Sequence, residues 1–384
     1  MLSPRQSGVR HRPARLAAGT VTLGAVLSLA ACTLAPRYET PPTPKVEHFL
    51  EAGDWMPAHP ADGAPRGAAT AAREEAEATA ADLSAVKLSL RAELATDYFA
   101  LRGADATTQL LAAAVHDYDR AYEVTHNRYG EGIAAATDVE QANTLRENAR
   151  AQLAAVQLQR ARLAHAIAVL VGEPPSGFQL VPGPLAGLPP AFDPGLPSTL
   201  LERRPDVASA ERAVAAANAR IGVARAAWFP VFSLSGAAGY ESTVASSWLQ
   251  APSRFWSVGP VGSLPLVDAG ARLADSREAW AVYDETVANY RKTTLVAYQE
   301  VEDSLVALHQ LAEERAADEA AAASAKQSAY HADQRYAAGV ADYLEVTSTH
   351  TAALQAERAA LSARVAQFQA TIALVRATGG GWLR

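Results

Sequence analysis

The chain has 384 residues, a formal net charge of −7 and a charged fraction of 20%. Its first thirty residues hold Arg5, Arg10, Arg12 and Arg15 and no acid, so the remainder is more acidic still. Such a chain repels nucleic acid, and no basic stripe with interleaved aromatics offsets the repulsion. Ala, Leu and Val dominate while aromatic residues make up 7%. That composition favours long helices, because Ala loses no side-chain entropy there and lets helices approach closely.

Residues 1–31 read as a leader. The basic stretch Arg5 to Arg15 precedes an apolar run, Leu16 to Ala30, too short to span a membrane as a mature helix. The run ends in Leu29-Ala30-Ala31-Cys32, with small residues before the only cysteine. This arrangement looks like a bacterial lipoprotein signal, cleaved between Ala31 and Cys32, with Cys32 acylated. Several acyl chains would hold the chain to outer-membrane lipid, at about 0.8 kcal/mol per buried methylene. Thr33 resembles the residue that follows the cysteine in outer-membrane lipoproteins. A lone cysteine excludes an intramolecular disulfide and any CxxC site. Residues 32–65 are rich in Pro, Ala and Gly without helical or strand period, and are read as an extended lead from the anchor.

Residues 66–172 read as a helical hairpin. Leu83, Val86, Leu90, Leu94, Tyr98 and Leu101 recur at spacings of three and four, the seam of a helix packing on a partner. A helix of ~60 residues spans roughly 90 Å. Gly103 is expected to bend it. A turn at Tyr129-Gly130-Glu131-Gly132 leads to a second helix from Thr137 to Val171, stopped by Gly172 with Pro174-Pro175 beyond. Residues 173–229 form a Pro-rich linker and a helix opened by Arg203-Arg204-Pro205-Asp206, with Pro in the first turn and an acid at the positive end of the dipole. Residues 230–268 hold two strand-like runs, Val231 to Glu241 and Phe255 to Val267, flanked by Trp228, Phe229, Trp248 and Trp256. Their length suits tilted strands crossing a bilayer. Residues 269–379 read as a second helical hairpin and 380–384 as a short tail.

The two hairpins are copies. Arg128-Tyr129-Gly130-Glu131-Gly132-Ile133 matches Arg335-Tyr336-Ala337-Ala338-Gly339-Val340 at an offset of 207. The same offset, without a gap, pairs Leu88 with Leu295, Glu93 with Glu300, Asp138-Val139 with Glu345-Val346 and Gly172 with Gly379. The period is far too long for a solenoid. Hairpins that cannot bury their seams alone must pack on each other or on further subunits.

Several motifs together resemble the TolC-like outer-membrane efflux channel family, in its NodT-type lipoprotein subgroup. They are Arg203-Arg204-Pro205-Asp206, the run Ala217-Asn218-Ala219-Arg220-Ile221-Gly222 and its continuation to Ala227, Leu264-Pro265-Leu266-Val267-Asp268, the two Arg-Tyr-x-x-Gly turns and Gly379-Gly380-Gly381-Trp382. The resemblance implies a mainly α fold: two long antiparallel hairpins that form a coiled-coil α-barrel when trimeric, plus a small transmembrane β-hairpin contributing to an outer-membrane barrel. It implies a homotrimer acting as a passive conduit, with a periplasmic adaptor (membrane fusion) protein and an inner-membrane pump as partners. The turns would then lie at the periplasmic tip. There Arg128, Tyr129, Gly132, Ile133 and Asp138, with Arg335, Tyr336, Gly339, Val340, Asp342, Tyr343 and Glu345, would close the tunnel and receive the adaptor.

The chain departs from the family pattern twice. Ser348 stands where an acid is expected after the second tip, in Tyr343-Leu344-Glu345-Val346-Thr347-Ser348. The first repeat also lacks a counterpart of the strand pair, so three copies would supply six strands instead of twelve. A non-conducting relative with a truncated barrel is the alternative this raises. An adaptor protein would carry one hairpin between β-rich halves, whereas this chain carries two. No catalytic constellation, metal site or cofactor motif is visible. His116, His309, His331 and His350 are spread over helices without a ligand set and are expected in solvated or interhelical roles. Glu300, Glu302 and Asp303 are expected on a solvated or inter-subunit face.

Overall fold

The computed structural model describes residues 36, 38–42, 67–185, 187–189 and 203–380. The leader, Cys32, most of the lead, part of the Pro-rich linker and the final Gly381-Trp382 lie outside the described residues. The elements in chain order are α1 (Gly67–Gly130), α2 (Ala136–Val171), α3 (Pro205–Ala226), β1 (Val231–Tyr240), β2 (Arg254–Ser263), α4 (Ala271–Ala337) and α5 (Tyr343–Ala377), with two 3-10 turns between the strands. The duplication is visible in the boundaries: α1 and α4 end at positions related by the sequence offset, and α2 and α5 begin at such positions. No helix among the described residues is long and apolar enough to cross a membrane.

The chain divides into two units, Met1–Pro41 with Asp62–Ala76 and Arg212–Ala288, and Pro42–Ala61 with Glu77–Glu211 and Asn289–Arg384. In the second unit each hairpin packs its own two helices together, and α5 reaches into the first hairpin through Leu354. Leu101, Ala164 and Ile167 form one cluster, Leu111, Tyr118, Ala149, Val156 and Leu354 another, and Tyr298, Val301, Leu374 and Ala377 a third. Phe99 stacks on Phe368 with centroids 4.3 Å apart. Helix α1 runs unbroken through Gly103, which serves close approach instead of the expected bend. A Cβ added there would stand 2.3 Å from Cγ2 of Val365.

Two buried charges tie the ends of this unit together. The Asp105 carboxylate, whose side chain is 1% exposed, accepts from Arg102 at 2.9 Å, Arg160 at 2.6 Å and the Gly183 amide at 3.1 Å. The same arginines donate to the carbonyls of Val181 and Leu180, so the strand-like stretch after α2 is strapped to the first hairpin. Arg204, which caps α3 and is buried, donates to Asp206, to Glu300 at 2.7 Å and to the Ala377 carbonyl at 3.0 Å. Glu300, expected on a solvated or inter-subunit face, is partly exposed and pairs with Arg204 and, at 3.6 Å, with Arg376. One of the cross-helix ion pairs in each hairpin stands at equivalent positions. Arg150 binds Asp119 at 2.7 Å in the first, and Lys326 binds Glu357 at 2.8 Å in the second.

In the first unit β1 and β2 form an antiparallel pair in which Val231 faces Ser263 and Tyr240 faces Arg254. The second strand closes at Ser263, short of the expected Val267. Because paired residues share a face, Phe232, Leu234, Ala238, Trp256, Val258 and Pro260 line one side. Ser233, Ser235, Ser257 and Ser263, with Val231, Ala237, Phe255 and Val261, line the other. Phe232, Leu234 and Trp256 are all more than 75% exposed. One face is mainly apolar and the other carries all of the pair's serines among Val231, Phe255 and Val261, a partial form of the alternation of barrel strands. Elsewhere in this unit the start of α1 is held to α3 by Arg212–Glu74 and Arg220–Glu75 ion pairs, and Asn218 donates to the carbonyl of Pro36 at 3.0 Å.

Candidate functional site

The turns joining α1 to α2 and α4 to α5 are built identically. At the first, the Gly132 amide donates to the Tyr129 carbonyl and the Ile133 amide to the Arg128 carbonyl. At the second, Gly339 donates to Tyr336 and Val340 to Arg335. This pair of bonds closes a helix only when the intervening residue is left-handed, and both glycines have φ of 73°. The sequence motif is thus explained residue by residue. Arg and Tyr supply the last carbonyls, Gly the reversal, and Ile133 or Val340 the apolar residue after it. Ile133 and Val340 are more than 60% exposed, so each tip presents an apolar point.

The returning helices begin differently. Asp342 caps α5, its carboxylate accepting from the Glu345 amide at 3.1 Å. The equivalent Ala135 has no side-chain acceptor, and Asp138 instead accepts weakly from the Ala135 amide at 3.4 Å. Glu345 pairs with Arg335 at 2.6 Å, joining the two helices of the second hairpin across the turn. Arg128 does not repeat that arrangement. Its guanidinium lies over the ring of Tyr336, 5.0 Å from the centroid, and so ties the first tip to the second.

Tyr343, expected among the groups that close an aperture, is buried. Its ring packs edge-on against Tyr336 at 5.1 Å, within a cluster of Ala142, Ala332 and Val346. Burial pushes its hydroxyl up to about 12, against a hydrogen bond with Thr125 that pulls it down. One step further from the tip Tyr118 is likewise pushed up to about 12, by burial first and then by Asp117. Tyr118 packs on His350, whose Nε2 meets the Asp333 carboxylate at 2.9 Å. Sequence reasoning missed Thr125, Tyr118 and the His350–Asp333 pair as members of this cluster. Tyr118, Tyr122 and Thr125 do recur at four and three residues along α1, the one signal available. Ser348 bonds only to the Glu345 carbonyl of its own helix. Between α2 and α5 a groove of about 280 Å³ runs beside the tips, lined by Glu140, Gln141, Thr144, Leu145, Asn148, Thr347 and Thr351.

The family described as "Outer membrane efflux protein" matches residues 62–173 and 196–380. The chain belongs to that family. Among outer membrane efflux proteins it is similar to outer membrane protein OprJ of Pseudomonas aeruginosa, 33% identical over 300 residues covering 78% of this chain. It is also similar to the solvent efflux pump outer membrane protein SrpC of Pseudomonas putida, 32% identical over 302 residues covering 77% of this chain. Each alignment covers 63% of the relative's own length, so the chain spans somewhat less than two thirds of these relatives. The solved outer-membrane channel OprN superposes with a TM-score of 0.76 at 31% identity, over 82% of this chain and 71% of that one. Membership of the outer membrane efflux protein family carries an outer-membrane location, and the helical hairpins with their small strand pair are the fold these channels share.

Proposed function

We propose that the chain is the outer-membrane subunit of a tripartite efflux system, in which three copies form a passive conduit for small molecules leaving the periplasm. Its role is conduction, not catalysis. The observation that carries this reading is the pair of equivalent hairpins ending in identical turns. A tunnel wall made of repeated helical hairpins needs such ends in one ring. The strand pair supports it too: three such hairpins can turn their serine-bearing faces to a lumen and the faces with Phe232, Leu234 and Trp256 to lipid. In this reading Cys32 carries the lipid anchor after cleavage behind Ala31. The tips from Arg128 to Asp138 and from Arg335 to Glu345 form the periplasmic end, and the groove between α2 and α5 receives a helix of the adaptor protein. The inner-membrane pump supplies cargo through that adaptor.

A second reading is favoured by length. The chain spans 63% of its curated relatives, and one strand pair occurs among the described residues. A first repeat without strands gives a trimer six strands, and barrel width falls with strand number. Conductance separates the two readings. Purified oligomer fused into planar bilayers is expected to give discrete steps. A folded oligomer that gives none establishes the non-conducting form.

A further inference from the structure

A groove of about 540 Å³ opens between the two hairpins, roughly 40 Å along α1 from its tip. It is lined by Gly103, Ala104 and Thr107 of α1, Val156 and Gln159 of α2, and one face of α5 between Gln355 and Gln369. Small-molecule sites occupy about 300–1,000 Å³, so the groove has the capacity of one. Val156, Leu361 and Val365 give it an apolar surface. Arg358 is the only charged side chain among its described lining residues. The guanidinium is partly buried and donates from Nη1 to Oε1 of Gln152 at 2.7 Å, its one hydrogen bond among the described residues. Arg102, Arg160, Arg204 and Arg315, also shielded from solvent, each meet a carboxylate. Arg358 meets none among the described residues. The duplicated packing does not ask for this charge, because at the offset of 207 the first hairpin has Ala151 in its place. Gln159, Gln355 and Gln369 line the same space, and their amides have no hydrogen-bond partner among the described residues.

We propose that this groove binds a small organic anion, a carboxylate on a compact apolar body, held by Arg358. A guanidinium presents its N–H donors in a planar fork, and only Nη1 is engaged here. The Nε–Nη2 edge remains for the two oxygens of a carboxylate, the arrangement that makes such pairs strong. The body of the ligand lies along Val156, Leu361 and Val365. The glutamine amides bind its polar substituents, as donor or as acceptor. Charge decides the class: a cation would oppose Arg358, and a neutral body would forgo the ion pair. The site goes beyond the conduit reading, because it lies in the helical body and does not depend on conduction. An occupant would touch α1 and α2 of one hairpin and α5 of the other, and so brace the two. By mass action it stabilises the folded chain.

The test titrates 2-naphthoate, and separately its neutral counterpart 2-naphthamide, into the full-length chain in a non-ionic detergent. Binding is read by calorimetry against detergent-only blanks, and by the shift in melting temperature. The parent is expected to take up one 2-naphthoate per chain, about tenfold more tightly than 2-naphthamide, and to melt later in its presence. Arg358→Gln keeps an amide donor but no charge, and should bind the two probes equally. Ser362 lines the groove and is exposed, so Ser362→Phe fills the space without entering the core and should lose both. A folded parent that takes up neither probe, or binds them equally, overturns the site. So does a preference for 2-naphthoate that survives in either variant. Should Arg358→Gln not fold, Ser362→Phe decides alone.

Discussion

Gly103 shows how a single residue can be read correctly as special and wrongly as to why. Glycine inside a helical pattern suggests a kink, since it costs about 1 kcal/mol of helix propensity relative to alanine. Here the missing side chain is the contact: Val365 occupies the place where a Cβ would be. Gly103→Ala therefore sets a propensity gain of about 1 kcal/mol against an overpacking cost of about 1–3 kcal/mol. The cost should win, because a valine in a helix has one favoured rotamer and cannot swing aside. The variant is expected to melt earlier than the parent, and Val365→Ala in that background to recover part of the loss. A Gly103→Ala chain that melts later would show that α5 can retreat. Arg204 is the complementary case. Its motif was legible, but its partners Glu300 and Ala377 lie about 96 and 173 residues away, and no local pattern encodes that meeting.

At the level of elements, the hairpins and their ends were readable because each boundary has a local chemical cause. Left-handed glycines close α1, α2, α4 and α5, and Pro205 opens α3. The strand pair was readable from alternation, although its second member stops at Ser263; Pro260 sits within β2, and Pro265 follows beyond its end. What could not be read was which face of a tip looks inward. Tyr129 and Tyr336 each follow an arginine and precede a glycine by three residues, yet one is exposed and the other is covered by Arg128. The buried tyrosines beside the tips give the helical elements a pH signature. An unfolded tyrosine ionises near pH 10, whereas Tyr118 and Tyr343 hold their protons to about 12. Between those values the unfolded chain binds fewer protons than the folded one, so stability falls as pH rises through the window and is fully present below it. Thermal melts from about pH 9 upward should show that fall. Tyr343→Phe, which removes one of the protons held by buried tyrosines, should make it shallower. An unchanged alkaline slope in that variant would mean that Tyr343 is not protected by burial.

For the whole molecule the anchor is the part that sequence alone carries, since Cys32 lies outside the described residues. Cells fed labelled palmitate are expected to label the parent chain and not Cys32→Ser; an unlabelled parent would remove the anchor from the account. The lead arrives at α3 through the Asn218 hold on Pro36, so an acylated Cys32 would start only four residues upstream of a fixed point. A last consequence comes from the cross-helix ion pairs. Asp119 with Arg150 and Lys326 with Glu357 occupy equivalent places with their signs exchanged. A chain built from two copies of one hairpin runs the risk that a helix of one copy takes the partner of the other during folding. Had the signs been the same, either choice would be equally satisfied. With them exchanged, α5 taking the place and register of α2 as the hairpin partner of α1 would oppose Asp119 to Glu357, and α2 taking that of α5 beside α4 would oppose Lys326 to Arg150. Each exposed pair contributes little to the finished protein, but together they distinguish the right fold from its swapped twin, letting a duplicated sequence tell its halves apart.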